Sequence, residues 1–294
     1  MADIPADSTT SATISVGATI SNQLESTGDH DWYRLELTAG QAVTILLTAE
    51  LPLDTYLRIR DSAGTMIRDD VALSYNTNSR ITFTPSETGT YFIDVGSFLD
   101  NGNGTYQLSV SSYTPPPVGT VEEVAQFLAE GWEGLGLRAF DASQGDSITV
   151  NITKLTAPGQ SLARQALSLW SDVTGINFVE VATGGTIHFD DEQPAGFADI
   201  DFAHGIITSG FVNVSKEPTL VDGPNIGTYT YQAYLHEIGH VLGLGHSGPY
   251  NGNPVDYLTD AIFANDGWPT TVMSYFDQEA SVYFAHQGYS FAFY

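Results

Sequence analysis

The sequence predicts two domains in series, an all-β sandwich over residues 1–113 and an α+β domain over residues 121–294. Three observations carry this. The first third is built of short alternating apolar and polar runs with no helical period. A proline run at 114–120 breaks the chain. After it, two segments with helical periodicity are interleaved with strand-like runs.

In the first domain the alternating runs are Asp31 to Leu37, Ala42 to Leu47, Tyr56 to Ile59, Ile81 to Phe83, Tyr91 to Val95 and Tyr106 to Val110. Turn-forming clusters such as Asn76-Thr77-Asn78 and Asp100-Asn101-Gly102-Asn103-Gly104 separate them, the spacing of an antiparallel sandwich. Asp29 and Asp31 read as a polar turn before a strand, with a calcium site as the sharper alternative. His30 between them reads as a solvated turn residue.

Thr114 to Thr120, with three consecutive prolines that suit neither sheet nor helix, is the expected linker. Beyond it, Val121 to Gly131 reads as a short helix or helical turn and Ile148 to Ile152 as a strand. Gln160 to Val173 reads as a helix with Leu162, Ala166, Leu167, Trp170 and Val173 on one face, stopped by Gly175. Strands Ile176 to Val181 and Thr186 to Phe189 follow, then a Gly- and Asp-rich stretch and the apolar run Gly210 to Val214. Thr228 to Gly245 reads as a second long helix whose apolar face is Tyr231, Tyr234, Leu235, Ile238, Val241 and Leu242.

Apolar residues make up 42% of the 294, enough to fill cores and to argue against disorder. Nine Lys plus Arg against 35 Asp plus Glu give a formal charge of −26, which repels nucleic acid and anionic lipid surfaces. No run approaches membrane-spanning length, so no membrane insertion is expected. The first residues lack the basic and apolar stretches of a cleavable secretory signal. With no cysteine, disulfides and thiolate ligands are excluded, and any metal must be held by His, carboxylate or Tyr.

His236 and His240 stand four apart on the second helix, which stacks their imidazoles on one side within reach of one ion, with Glu237 beside them. A catalytic zinc site wants three protein ligands and one open position. Gly243 lets the chain turn sharply out of the helix and bring His246 back to the same metal. The string His-Glu-Ile-Gly-His-Val-Leu-Gly-Leu-Gly-His meets a five-residue constraint expected by chance on the order of once in 10⁵ chains of this length. Three unrelated histidines on an amphipathic helix would leave the Glu and the Gly unexplained. His188, His204 and His286 have no partner spacing and read as surface or core residues.

That string, followed by Thr271-Val272-Met273-Ser274-Tyr275, resembles the metzincins, in which a methionine turn forms an apolar floor beneath the metal. The fold implied is an α+β catalytic domain, a twisted sheet carrying the zinc-site helix. Within the metzincins, Leu167 to Val173, His236 to His246 with Tyr250-Asn251, and Val272 to Phe276 are similar to the serralysins, secreted bacterial endopeptidases. Ser247 departs from their usual proline and is more typical of the matrixin branch. Gly28 to Tyr33, Leu37 to Gln41 and Gly89 to Val95 resemble the bacterial pre-peptidase C-terminal domain, a small sandwich attached to secreted proteases.

The resemblance implies a secreted, monomeric endopeptidase acting on extracellular proteins or peptides. Its Zn²⁺ would sit on His236, His240 and His246, with Glu237 as general base toward the zinc-bound water. It further assigns Tyr275 as a zinc ligand and as a hydrogen-bond donor to the reacting carbonyl oxygen, and it raises the prospect of Ca²⁺. The calcium-binding repeats and export signal that follow the catalytic domain in serralysins are not found before Tyr294, the pattern of a truncated form. An extended substrate would pair with a sheet edge near Ala198 to His204. Two other readings compete: a non-catalytic binding or adhesion protein on a protease fold, against which the intact Glu237 speaks, and a non-peptidase zinc hydrolase.

Overall fold

A computed structural model describes residues 3–50, 53–71, 78–131, 136–252 and 255–293. The chain divides into two compact units, residues 1–114 and 115–294.

The first unit is two four-stranded antiparallel sheets. One has the order β1-β8-β3-β6 and the other β2-β7-β4-β5. These strands are β1 Thr19–Leu24, β2 Asp31–Leu37, β3 Val43–Ala49, β4 Thr55–Arg60, β5 Met66–Val71, β6 Ser79–Phe83, β7 Gly89–Ser97 and β8 Gly104–Ser112. Alternate residues point inward, so Leu35, Leu57 and Ile93 of one sheet meet Ile45, Leu47 and Leu108 of the other in one core. The six runs read from the sequence are all strands. β1 and β5 escaped that reading because both are edge strands with polar sequences, TISNQL and MIRDDV. Of the turn read at 76–78, Asn76 and Thr77 lie outside the described residues.

His30 and Asp31 need correction. Asp31 is the first residue of β2 and is fully buried, accepting hydrogen bonds from the Tyr106 hydroxyl and from Asn22. Burial pushes its carboxyl up to about 6, against the pull of Tyr106. His30 is not a solvated turn residue: its Nδ1 lies 2.7 Å from Asp94 and its Nε2 2.9 Å from Asp100. Asp94 is itself buried in β7, where Arg60 completes its pairing at 2.7 Å. The partners are 64 residues apart in sequence, so no local pattern announces them.

In the second unit Thr120 closes a capping box with Glu123 and starts helix α1, Val121–Gln126, which runs on as a π-turn through Phe127–Gly131. The sheet has the order β11-β10-β12-β14-β13, with the short β9, Ala139–Phe140, pairing β14. Its strands are β10 Ser147–Asn151, β11 Asn177–Glu180, β12 Ile187–Asp190, β13 Gly196–Ala203 and β14 Ile206–Val214. All pairings are parallel except β13 with β14. β13 occupies the stretch read only as Gly- and Asp-rich, its alternation masked by Asp199 and Asp201 on a mostly exposed strand at the end of the sheet.

Helix α2, Ala157–Thr174, begins at Thr156 and ends at Gly175 in the left-handed conformation. Leu162, Ala166 and Leu167 are buried as the periodicity predicts, but Val173 is 77% exposed and does not share their face. A three-turn helix, α4, spans Tyr229–Val241, capped by the Thr228 hydroxyl on the Tyr231 N–H. Together α2 and α4 pack on the sheet through Ile148, Val150, Ile187, Phe189 and Val212. Trp170 ties the helices together, its indole N–H donating to the Leu235 carbonyl at 3.1 Å. The helix read to Gly245 stops at Val241, four residues short, for the reason given below. Among the described residues, no helix is long and apolar enough to cross a membrane.

Candidate metal centre

The spacing of four on α4 puts His236 and His240 one turn apart on one face. To bring a third histidine to them, the chain must leave the helix abruptly. The Leu244 N–H donates to the Gly239 carbonyl and the Gly243 N–H to the His240 carbonyl, the reverse-turn closure of a helix C-terminus. Gly243 adopts φ 101°, open to glycine and costly for other residues. A Cβ there would lie 1.9 Å from the Arg138 carbonyl oxygen. The turn delivers His246 to the other two.

The Nε2 atoms of His236, His240 and His246 are separated by 3.0, 3.1 and 3.3 Å. Nitrogens bound tetrahedrally to one zinc at about 2.0–2.1 Å stand roughly 3.3 Å apart, so the three fit a single ion of that size. His236 Nδ1–H donates to the Val272 carbonyl at 2.8 Å and His240 Nδ1–H to the Leu244 carbonyl at 2.9 Å. These bonds fix the tautomer and leave each Nε2 lone pair facing the centre. Burial holds His236 below the usual histidine range. Burial and mutual repulsion hold His240 at about 3 and His246 at about 2, so all three are neutral, the form that ligates.

Glu237, the next residue after His236, turns into a cleft of about 300 Å³ shared with His236, Tyr229, Trp268, Val272 and Tyr275. Desolvation pushes its carboxyl up to about 8. Its Oε1 would lie only 2.8 Å from a Cβ on Gly196, so the first residue of β13 borders this carboxylate. The Tyr275 ring meets His246 edge-on at 4.4 Å, and its hydroxyl accepts the Gly252 N–H at 3.4 Å. Tyr250 stacks on the His246 ring at 5.5 Å and lies 5.1 Å from the Tyr275 ring.

Met273 is buried, and its sulphur would lie 2.5 Å from a Cβ on Gly239. The glycine inside the helix motif is therefore the groove that admits this methionine. Beside it stands a hub that sequence reasoning missed. Buried Asp266 accepts from the hydroxyls of Ser247 and Ser274, each at 2.6 Å, and from Tyr250 at 3.1 Å. It thereby joins the residue after the third histidine to the residue after Met273. Burial raises its carboxyl, opposed by these hydroxyls. Asp266→Asn replaces an acceptor with a donor at this hub and is expected to cost about 2–3 kcal/mol in denaturant unfolding. Unchanged stability would mean that the hydroxyls find other acceptors. Only the spatial meeting of three separate segments marks Asp266; the Asn-Asp-Gly around it reads as an ordinary turn.

The remaining histidines stand apart. His188 lies on the exposed face of β12, beside a concavity of about 650 Å³ on the sheet lined also by Asn151, Lys154, Asp199 and Asp201. His204 is exposed in the β13–β14 turn, and the side chain of His286 is outside the described residues. Among the described residues, the other cluster of potential metal ligands is a group of four carboxylates in the first unit.

Residues 29–97 match the bacterial pre-peptidase C-terminal domain family and residues 146–252 the matrixin family. The chain is 29% identical over 218 residues to the metalloprotease AprA of Pseudomonas entomophila, covering 69% of this chain and 39% of that protein. It is 33% identical over 136 residues to the serralysin of Proteus mirabilis, covering 40% of this chain and 28% of that protein. The chain thus spans less than half the length of these relatives. Among solved structures, the pre-peptidase C-terminal domain of a Bacillus anthracis collagenase aligns at 22% identity over 34% of this chain and 93% of its own, with TM-score 0.30. By these matches residues 29–97 form a domain of the bacterial pre-peptidase C-terminal type and residues 146–252 one of the matrixin type, in a chain that is similar to the serralysins.

Proposed function

We propose that the chain is a zinc-dependent endopeptidase that hydrolyses peptide bonds of extracellular proteins, acting as a monomer. The observation that carries this reading is the convergence of three neutral imidazole nitrogens within 3.3 Å of one another beside a carboxylate in an open cleft. The extracellular setting rests on the resemblance to the secreted serralysins.

His236, His240 and His246 would hold the zinc, with Tyr275 as a further ligand. When bound, the metal supplies Lewis acidity, lowering the pKa of water and polarising the scissile carbonyl. Glu237 takes the proton from the attacking water. Burial raises its carboxyl toward neutrality, so the proton it gains is held long enough to pass to the leaving amine. Burial likewise raises the Tyr275 hydroxyl, keeping it protonated as a donor to the oxyanion of the tetrahedral intermediate. β13 is the last strand of its sheet and begins beside Glu237. An extended peptide hydrogen-bonded along that edge would be presented to the carboxylate.

The test is hydrolysis of casein or gelatin by the purified chain with and without a zinc chelator, alongside metal analysis. Expected are about one zinc per chain, as a three-histidine site requires, and activity that the chelator abolishes and added zinc restores. Bound zinc with no hydrolysis of any protein substrate would replace the enzyme with a binding role.

A further inference from the structure

The cleft beside Glu237 contains a polar group that the proposed hydrolysis leaves unused. Gln232 stands on α4 one helical turn before His236, so both side chains leave the same face of the helix, and both residues line the cleft. Gln232 is 5% exposed, and its Oε1 is inaccessible and has no hydrogen-bond partner. Tyr229, which lines the same cleft, is 55% exposed. The tyrosine therefore stands toward the mouth and the amide at the buried end.

Native proteins rarely leave a buried amide oxygen unmet. Other polar groups at this end are already committed. The Trp268 indole N–H donates to the Ser274 carbonyl at 3.1 Å, and the Ser274 hydroxyl donates to Asp266 at 2.6 Å. Glu237 and Tyr275 belong to the reaction itself. Among the described residues, what remains is a recess walled by Trp268, Val255, Val272 and Ala233 with one uncommitted amide beside them. Apolar walls with a single placed polar group are the ordinary composition of a site that selects its ligand.

We propose that Gln232 makes this end of the cleft selective for a tyrosine side chain of the substrate, its ring held between the apolar walls and its hydroxyl hydrogen-bonded to the Gln232 amide. The inference rests on the endopeptidase reading and deepens it. Rotation about the last side-chain bond of a glutamine exchanges its oxygen and nitrogen, and a phenol both donates and accepts, so either end of the amide can hold the hydroxyl. Phenylalanine would fill the same walls and leave the amide unmet. Discrimination through an unmet buried polar group is much larger than discrimination through apolar fit alone. A lysine ammonium would lose most of its hydration against the same walls.

The test is mass-spectrometric mapping of the bonds that the zinc-loaded chain cleaves in peptides of mixed sequence, followed by kinetics on a peptide pair that differs only in a central tyrosine or phenylalanine. Expected are enrichment of tyrosine beside the cleaved bond and a kcat/KM for the tyrosine peptide on the order of tenfold or more above that of its partner. Gln232→Leu should bring this ratio to about one or below. That variant removes an unmet buried polar group, so it should unfold no more readily and hold the same zinc, which separates lost selectivity from a damaged site. The pair is also compared by calorimetric binding to zinc-loaded Glu237→Gln, where no turnover intervenes. Tighter binding of the tyrosine peptide there, with no cleavage by the unmodified chain, would keep the pocket and remove the endopeptidase reading. Equal treatment of the two peptides, a ratio unchanged in Gln232→Leu, or enrichment of lysine in place of tyrosine would overturn the role of Gln232.

Discussion

Glu237→Gln is expected to keep the zinc and lose the turnover, with peptide hydrolysis falling by about 10²–10⁴-fold or more. The substitution preserves the shape of a buried side chain and leaves the His236, His240 and His246 nitrogens and their backbone anchors untouched. It removes only the capacity to accept a proton. Metal analysis together with casein hydrolysis checks it, and retained hydrolysis would remove Glu237 from the base role. The metal-stripped protein offers a second readout. Burial raises the folded-state pKa of Glu237 to about 8, so folding favours the protonated acid. Its contribution to stability is fully present below the usual glutamate value and is lost as pH rises through about 8. Denaturant unfolding of the metal-stripped chain should therefore weaken from pH 5 to pH 8, and the Gln variant should lack that component. An identical pH dependence in the two proteins would mean that Glu237 is solvated in the metal-stripped state.

The convergence of the three histidines beside Glu237 was legible because the constraint that a metal site would impose is local. Two histidines one helical turn apart, a glutamate beside them and a glycine that allows the third to return all fall within eleven residues. The physics is written in spacing, and spacing is what a sequence displays. The same is true of the strands that bury one face, such as β2, where Leu35 and Leu37 alternate inward. Edge strands β1, β5 and β13 are hidden because exposure relaxes the alternation that would announce them. Pairings that depend on the tertiary fold are hidden more deeply. His30 with Asp94, Asp266 with Ser247 and Ser274, and Asp3 with Asp31 bring together residues from separate segments, and no partner alone announces the other. The Gly239–Met273 approach lies between these cases, since the glycine and the methionine are both visible in the motifs and only their contact is not.

Gly243→Ala tests whether the turn, and not only the ligands, makes the metal site. Two costs arise. A non-glycine residue at φ 101° pays about 1–2 kcal/mol for the left-handed backbone. The added Cβ would also fall 1.9 Å from the Arg138 carbonyl oxygen, a backbone atom that no side-chain rotation can clear. One of the two backbones must shift, and the expected one is the segment that carries the new Cβ, leading from Val241 to His246. Ligand positions around zinc tolerate only about 0.2 Å. Zinc affinity is therefore expected to fall by about 100-fold or more, and hydrolysis with it, although all three histidines and Glu237 remain. Gly145→Ala is the control: φ there is 94° but nothing lies within 4 Å of the new Cβ. It should show the backbone penalty in unfolding and bind zinc normally. Competition titration with a chromogenic zinc chelator reads both variants. If Gly243→Ala holds zinc as tightly as the unmodified chain, the turn is not the determinant and the Arg138 segment is yielding in its place.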